Sequence, residues 1–154
     1  MINQETVLVR PLRPIRKMSY DTRWINDCPG LTMPMPRAVL IDDDPVFLAI
    51  MKRSAQLEGI ALDCFLSLED LGYIGMFANY DVAILDFDLG MTDGIQISRS
   101  INALVKELPI LIISAKDRSY ECADSPECVK SVLKKSMGYQ YILQVAARFC
   151  RGYE

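Results

Sequence analysis

The 154-residue chain contains no histidine. Imidazole-based acid/base catalysis is therefore excluded, and so are the common zinc sites that use an imidazole ligand. Long apolar runs are also missing, since no stretch approaches the roughly 20 residues of a membrane span, and the N-terminus lacks the apolar core of a signal peptide. A soluble chain with no membrane partner is therefore expected. The five cysteines, Cys28, Cys64, Cys122, Cys128 and Cys150, are odd in number and show no close ligand spacing. That suits small buried hydrophobes carrying free thiols in a reducing, cytoplasmic setting. No internal repeat or low-complexity tract interrupts the chain.

Positive charge is scarce in the body and gathered at one end. Residues 1–37 hold six Lys/Arg against three acids, and the remainder holds eleven against seventeen, so +3 and −6 sum to the net charge of −3. An acidic body argues against nucleic acid as a partner. Residues 1–36, with RPLRPIRKM and CPGLTMPMPR, are punctuated by prolines that forbid a continuous helix. They form an N-terminal extension, either an arm that could add its TVLVR run to a sheet edge or an unstructured tail, and a homodimer through such an edge stays open. Residues 37–154 form the domain proper.

In that domain, 51% hydrophobic and 24% charged content for the chain as a whole is that of a globular protein. Short β-branched runs (AVLI, ALDCF, DVAIL, PILII, SVL) alternate with helix-period segments, which implies an α/β fold. The first helix is the clearest, with Asp44 as N-cap, Pro45 at its first position, a stripe of Phe47, Ile50, Met51, Ser54 and Leu57, and Gly59 as stop. Helices are also expected at roughly 95–106 and 138–150. The second, after Ser67, should be short because of Gly72 and Gly75. In the fourth interval only DRSYECAD can be helical before Ser125-Pro126 interrupts it. Runs apolar on both faces, such as PILII, belong in central parallel strands, and right-handed crossovers make the sheet doubly wound.

Function in such a sheet lies beyond the carboxyl ends of the strands. There the chain places Asp42 and Asp43 after the first strand, Asp86 in LDFDLGMTDG after the third, Ser114 after the fourth and Lys134 after the fifth. Crowded carboxylates repel unless a cation sits among them, and all-oxygen ligation with room for water suits Mg²⁺. A carboxylate beside such a cation can be the nucleophile toward a phosphoryl group, with an ammonium and a hydroxyl for its oxygens. The site would hold a phosphoryl group.

IDDD, LDFDLGMTDG, IISA and VLKK, in this order and spacing over residues 37 to about 150, resemble the receiver domain of two-component response regulators, of the stand-alone, CheY-like kind. The resemblance implies a flavodoxin-like five-stranded parallel sheet of order 2-1-3-4-5 with helices on both faces. It implies Asp86 as phospho-acceptor, and Asp42, Asp43, Asp86 and the backbone carbonyl of Asp88 as Mg²⁺ ligands. Ser114 and Lys134 match the family's hydroxyl and lysine, and Asp93-Gly94 its turn into the third helix. The donor would be a sensor histidine kinase or a histidine phosphotransfer protein, in two-component signalling or a phosphorelay. The downstream partner is not legible, and no output domain is read after Cys150.

Several positions depart from the family pattern. Gly90 stands where many members carry proline after the acceptor, Lys135 where proline follows the lysine, and Ser131 where an aromatic usually swings inward three residues before the lysine. Without that aromatic, a carrier or phosphate-sink role is favoured over an allosteric switch. Asp88 and Lys116, of opposite charge at the mouth of the site, are expected to pair as a gate over the phosphoryl group. A haloacid-dehalogenase-like phosphatase, suggested by LDFDLGMT as an Asp-x-Asp motif, is the alternative enzyme reading. A degenerate, phosphate-independent interaction module is the third. The receiver reading, which is not that of an enzyme, is preferred because Asp42-Asp43 precede the motif and the short chain leaves no cap domain.

Overall fold

The computed structural model describes residues 35–150. The extension expected over residues 1–36 therefore falls, but for its last two residues, outside the described part. In chain order the elements are β1 (Arg37–Ile41), α1 (Pro45–Glu58), β2 (Ala61–Phe65), α2 (Leu68–Leu71), a 3₁₀ segment (Ile74–Asn79), β3 (Val82–Asp86), β4 (Asp88–Leu89), β5 (Thr92–Asp93), α3 (Gly94–Leu104), β6 (Ile110–Ser114), β7 (Val129–Lys134), a 3₁₀ turn (Lys135–Met137) and α4 (Tyr139–Ala147). Five strands make one parallel sheet in the order β2-β1-β3-β6-β7, while β4 and β5 pair separately as a two-residue ribbon. Counting only the five, the order is the expected 2-1-3-4-5, a doubly wound flavodoxin-like α/β fold.

The sheet is buried from both sides, as its two-faced apolar strands require. Leu40, Ile84, Ile113 and Leu133 pack with α1 and α4 through Met51, Ile142 and Val145. The intervening Ile41, Leu85 and Ile112 pack on the opposite layer with Phe77, Ile97 and Ile101. Alternation along each strand thus assigns a layer to every residue, including those just beyond the strand ends.

Local signals fix the first half of the domain. The Asp44 carboxylate accepts from Val46 N–H at 2.9 Å and Phe47 N–H at 3.2 Å, capping α1 ahead of Pro45. Gly59 ends it at φ +71°, a conformation that other residues adopt only with strain. The buried face of α1 is Phe47, Leu48, Met51 and Ala55, whereas Leu57 is 84% exposed. That differs from the expected stripe: Leu48 and Ala55 replace Ile50, Ser54 and Leu57, because the helix lies between sheet and α4 with its contact line rotated toward them.

The interval between β6 and β7 contains no helix. Asp117 accepts from the N–H and hydroxyl of Ser119, and isolated turns follow, with Cys122 N–H donating to Arg118 C=O at 3.1 Å and Ser125 N–H to Cys122 C=O at 3.1 Å. Side-chain bonds of this local kind compete with a helical ladder. β7 then pairs with β6 through a register shift at Ile110/Leu111.

Candidate functional site

Asp42 lies one residue beyond β1 and continues its ladder, donating its N–H to Phe65 C=O at 3.1 Å. It follows Leu40 by two residues, as Asp86 follows Ile84, so both carboxylates emerge on the α1/α4 layer. Asp42 is 0% and Asp86 5% exposed, while Asp43 is exposed. One carboxylate oxygen of each can be chosen so that all three lie within 4.8 Å of one another. The backbone orders this cluster as well: Asp44 N–H donates to Asp42 Oδ1 at 2.9 Å, and the N-terminal end of α1 favours nearby anions.

The cation facing these acids is Lys135. Its Nζ lies 2.6 Å from Asp42 Oδ2 and 3.3 Å from Asp86 Oδ1, and 4.7 Å from the centre of the Phe47 ring. At 2.6 Å the contact to Asp42 Oδ2 is a charge-assisted ion pair, and it is the short arm of the pair of contacts this ammonium makes. Lys134, expected at the site, instead points to the β6–β7 loop, where its Nζ is 3.9 Å from Asp117 Oδ2 and its side chain is 52% exposed. The physical reason is alternation. Leu133 faces the α1/α4 layer, so Lys135, two residues on, faces the acids, and Lys134 cannot. The position three before the site lysine is accordingly Val132, not Ser131, and Val132 packs half-buried on the opposite layer.

Burial foremost, and then the charge of Asp42, push the Asp86 carboxyl up to about 6, with Lys135 pulling the other way. For Lys135 burial acts downward, but the two carboxylates outweigh it and hold the ammonium above its ordinary range. Three carboxylates against one ammonium leave two negative charges at neutral pH, so the residues present fit a divalent cation. With oxygen-only donors, Mg²⁺ is the chemically matched ion.

Ser114 ends β6 one position beyond Ile113, the register partner of Asp86, and is 1% exposed. Its hydroxyl accepts from Lys116 N–H at 3.2 Å, which leaves the hydroxyl proton free to donate. Asp93 caps α3 by accepting from Gln96 N–H at 2.8 Å, and Gly94 N–H donates to Phe87 C=O at 2.9 Å. At Gly94 a Cβ would stand 2.8 Å from the carbonyl oxygen of Asp86, so only glycine allows α3 to approach the end of β3 this closely. Gly90, at φ +74°, is where proline could not stand, because its ring fixes φ near −65°.

The gate expected between Asp88 and Lys116 does not form. Asp88 pairs with Arg118, whose Nη2 lies 3.2 and 3.0 Å from its two carboxylate oxygens. The turns after Ser114 carry the chain so that Arg118, not Lys116, reaches across to Asp88. Arg118 and Lys135 are the two residues that sequence reasoning missed. Strand alternation could have found Lys135, whereas nothing local marks Arg118, whose placement depends on the path of a helix-free loop.

Fold and site together define a doubly wound α/β domain with a partly buried acidic cluster and one lysine at its strand ends. The model of the response regulator receiver domain matches residues 38–145. The chain belongs to that family, the receiving module of two-component signalling. Among curated relatives it is 24% identical over 81 residues to the transcriptional regulatory protein PrrA of Mycobacterium leprae, and 28% identical over 83 residues to the response regulator MprA of a Mycobacterium species. Each match covers 53% of this chain and 35% of the relative, so the chain aligns with about a third of their length. Among solved structures it is similar to the response regulator TrrA of Thermotoga maritima, in complex with Mg²⁺-BeF, with a TM-score of 0.65 at 24% identity, covering 75% of this chain and 99% of that one. A CheY-like receiver domain protein from Methanospirillum hungatei gives a TM-score of 0.62 at 14% identity, covering 73% and 90%. Both likenesses concern the fold. No helix among the described residues is long and apolar enough to cross a membrane.

Proposed function

We propose that Asp86 accepts a phosphoryl group from a histidine kinase or a histidine phosphotransfer protein, with Mg²⁺ held by Asp42, Asp43 and Asp86 and, by family resemblance, the backbone carbonyl of Asp88. The observation that carries this is a buried acceptor carboxylate sharing one ammonium with a buried neighbour, in a cluster two charges short of neutrality. An Asp86 oxygen attacks phosphorus, and the P–N bond of the donor breaks with its electron pair returned to the imidazole. Ser114 donates to one phosphoryl oxygen, and Lys135 turns from the carboxylates to another. The metal, when bound, offsets the charge that gathers on the phosphoryl oxygens.

The orientation of Asp88 supports this over the phosphatase reading. A phosphatase Asp-x-Asp motif needs its second carboxyl at the reacting group, but the side chain of Asp88 is 64% exposed and paired with Arg118. A phosphate-independent module would have no use for Asp42, Asp86, Ser114 and Lys135 together. The test is labelling with a small-molecule phosphoryl donor and Mg²⁺: wild type should label, Asp86→Asn should not, and equal labelling of the two would reject the assignment. Release of phosphate from ester substrates by wild type would favour the enzyme.

A further inference from the structure

Arg118 ties the helix-free loop to the turn that follows the acceptor. Its guanidinium makes a two-oxygen contact with Asp88, lies 2.8 Å from Glu121 Oε1, and stacks with Cζ 4.6 Å from the centre of the Phe87 ring. Phe87 and Asp88 are the two residues that follow Asp86. Arg118 itself is four residues beyond Ser114, so the contact joins the exits of the neighbouring strands β3 and β6. Asp86 ends β3 and Ser114 ends β6, so the contact lies just beyond the two strand ends that carry them. Arg118 is only 20% exposed although it sits at the rim, which shows that the stack and the ion pairs hold it down.

We infer that Arg118 sets the lifetime of the phosphoryl group, by latching the β6–β7 loop to the Phe87–Asp88 turn and narrowing the path of the hydrolytic water. The inference rests on the receiver reading. In the hydrolytic step a water oxygen attacks phosphorus, the P–O bond to Asp86 breaks with its electron pair left on the carboxylate, and the water proton passes to solvent as inorganic phosphate leaves. Arg118 touches neither the water nor the carboxylate; it is a positioning residue. Glu121 and Phe87 give the guanidinium a second hold, so loss of Asp88 alone loosens the latch only in part.

The experiment follows decay of the label after removal of the small-molecule donor, in Mg²⁺, at low and high salt. Arg118→Ala should shorten the lifetime about three- to fivefold, the range open to a rim contact of this kind. Asp88→Asn should shorten it less, and Arg118→Lys, which keeps the charge but not the planar stack, should lie between. High salt should shorten the wild-type lifetime and leave that of Arg118→Ala unchanged, a difference that a merely structural role would not produce. Equal or longer lifetime in Arg118→Ala, with wild type labelled normally, would overturn the latch and leave the receiver reading intact. Failure of wild type to label would overturn both.

Discussion

The two sides of the sheet are held in different ways. Around β1 and β3 the site residues rest on a capped 14-residue helix, a strand buried throughout, and α3 packed against a carbonyl through Gly94. Around β6 and β7 the connecting interval is helix-free; Cys122 and Cys128 anchor it in the core, but its rim ties are polar: Arg118 to Asp88 and Glu121, Lys134 to Asp117, and Arg99 Nη2 to Asp124 C=O at 3.2 Å. Apolar packing is non-directional and additive over area, whereas rim ion pairs are weak and screened by salt. The acid-bearing side should therefore behave as a rigid platform, and the other side as the part whose state can be altered.

The sharpest test sets Lys135 against Lys134. Removing Lys135 leaves Asp42 and Asp86 without their counter-charge, so Lys135→Ala should destabilise the metal-free protein by about 3 kcal/mol, near the lower end for a broken buried pair because the ammonium is partly exposed. Lys134→Ala should change stability by under about 0.5 kcal/mol. Denaturant titration in EDTA measures both, and saturating Mg²⁺ should restore much of the loss in Lys135→Ala. Equal effects of the two substitutions would mean that alternation at the end of β7 had been misread.

The platform should also show an inverted pH dependence. Asp86 has a folded value raised to about 6, above its ordinary 3.8, so the fold binds this proton more tightly than the unfolded chain does. Its contribution is fully present below about pH 4 and is lost as pH rises through about 6. In EDTA the midpoint of unfolding should thus gain from this group as pH falls from 7 toward 4, opposite to an ion-paired carboxylate. Asp86→Asn should remove that slope and stabilise the metal-free protein at pH 7; a slope unchanged by the substitution would place its origin elsewhere.

A smaller effect separates cap from ligand within the IDDD run. Asp44→Ala should cost about 1 kcal/mol of stability through the lost α1 cap and leave Mg²⁺ titration unchanged. Asp42→Ala or Asp43→Ala should weaken Mg²⁺ binding, measured by calorimetry. Equal loss of affinity in all three would contradict the division.

The same contrast explains what the sequence made legible. Strand order, α1 with its Asp44 cap and Gly59 stop, and the gathering of Asp42, Asp43 and Asp86 follow from local patterns: a buried strand ends, a turn begins, and the residue types announce which. Lys134 was one residue from the lysine that faces the acids, because VLKK offers two lysines and only the layer of Leu133 decides between them. A one-residue slip exchanges faces, and with it the residue that stands three positions before the lysine. The pairing of Asp88 with Arg118 in place of Lys116 was beyond sequence reasoning for another cause. Where no helix imposes a period, separation along the chain does not translate into reach.

The smallest expected effect concerns the loop itself. Correcting the lysine to Lys135 moves the critical position from Ser131 to Val132, which is still not aromatic and packs beside a layer containing Phe87, Cys122 and Cys128. Valine has few rotamers and too little volume to swing into space vacated behind Ser114. A ligand can shift an equilibrium only by its differential interaction with the two states, and nothing at Val132 offers a large one. Hydrogen exchange should therefore change modestly on phosphorylation, and chiefly over 115–124, the helix-free loop that Arg118 and Lys134 hold by rim ion pairs. Residues 129–134, bonded into the sheet, should stay protected. That outcome suits a domain that carries phosphoryl groups between histidines. Large changes in protection through β7 would sink the carrier role and assign the loop a switching function of its own.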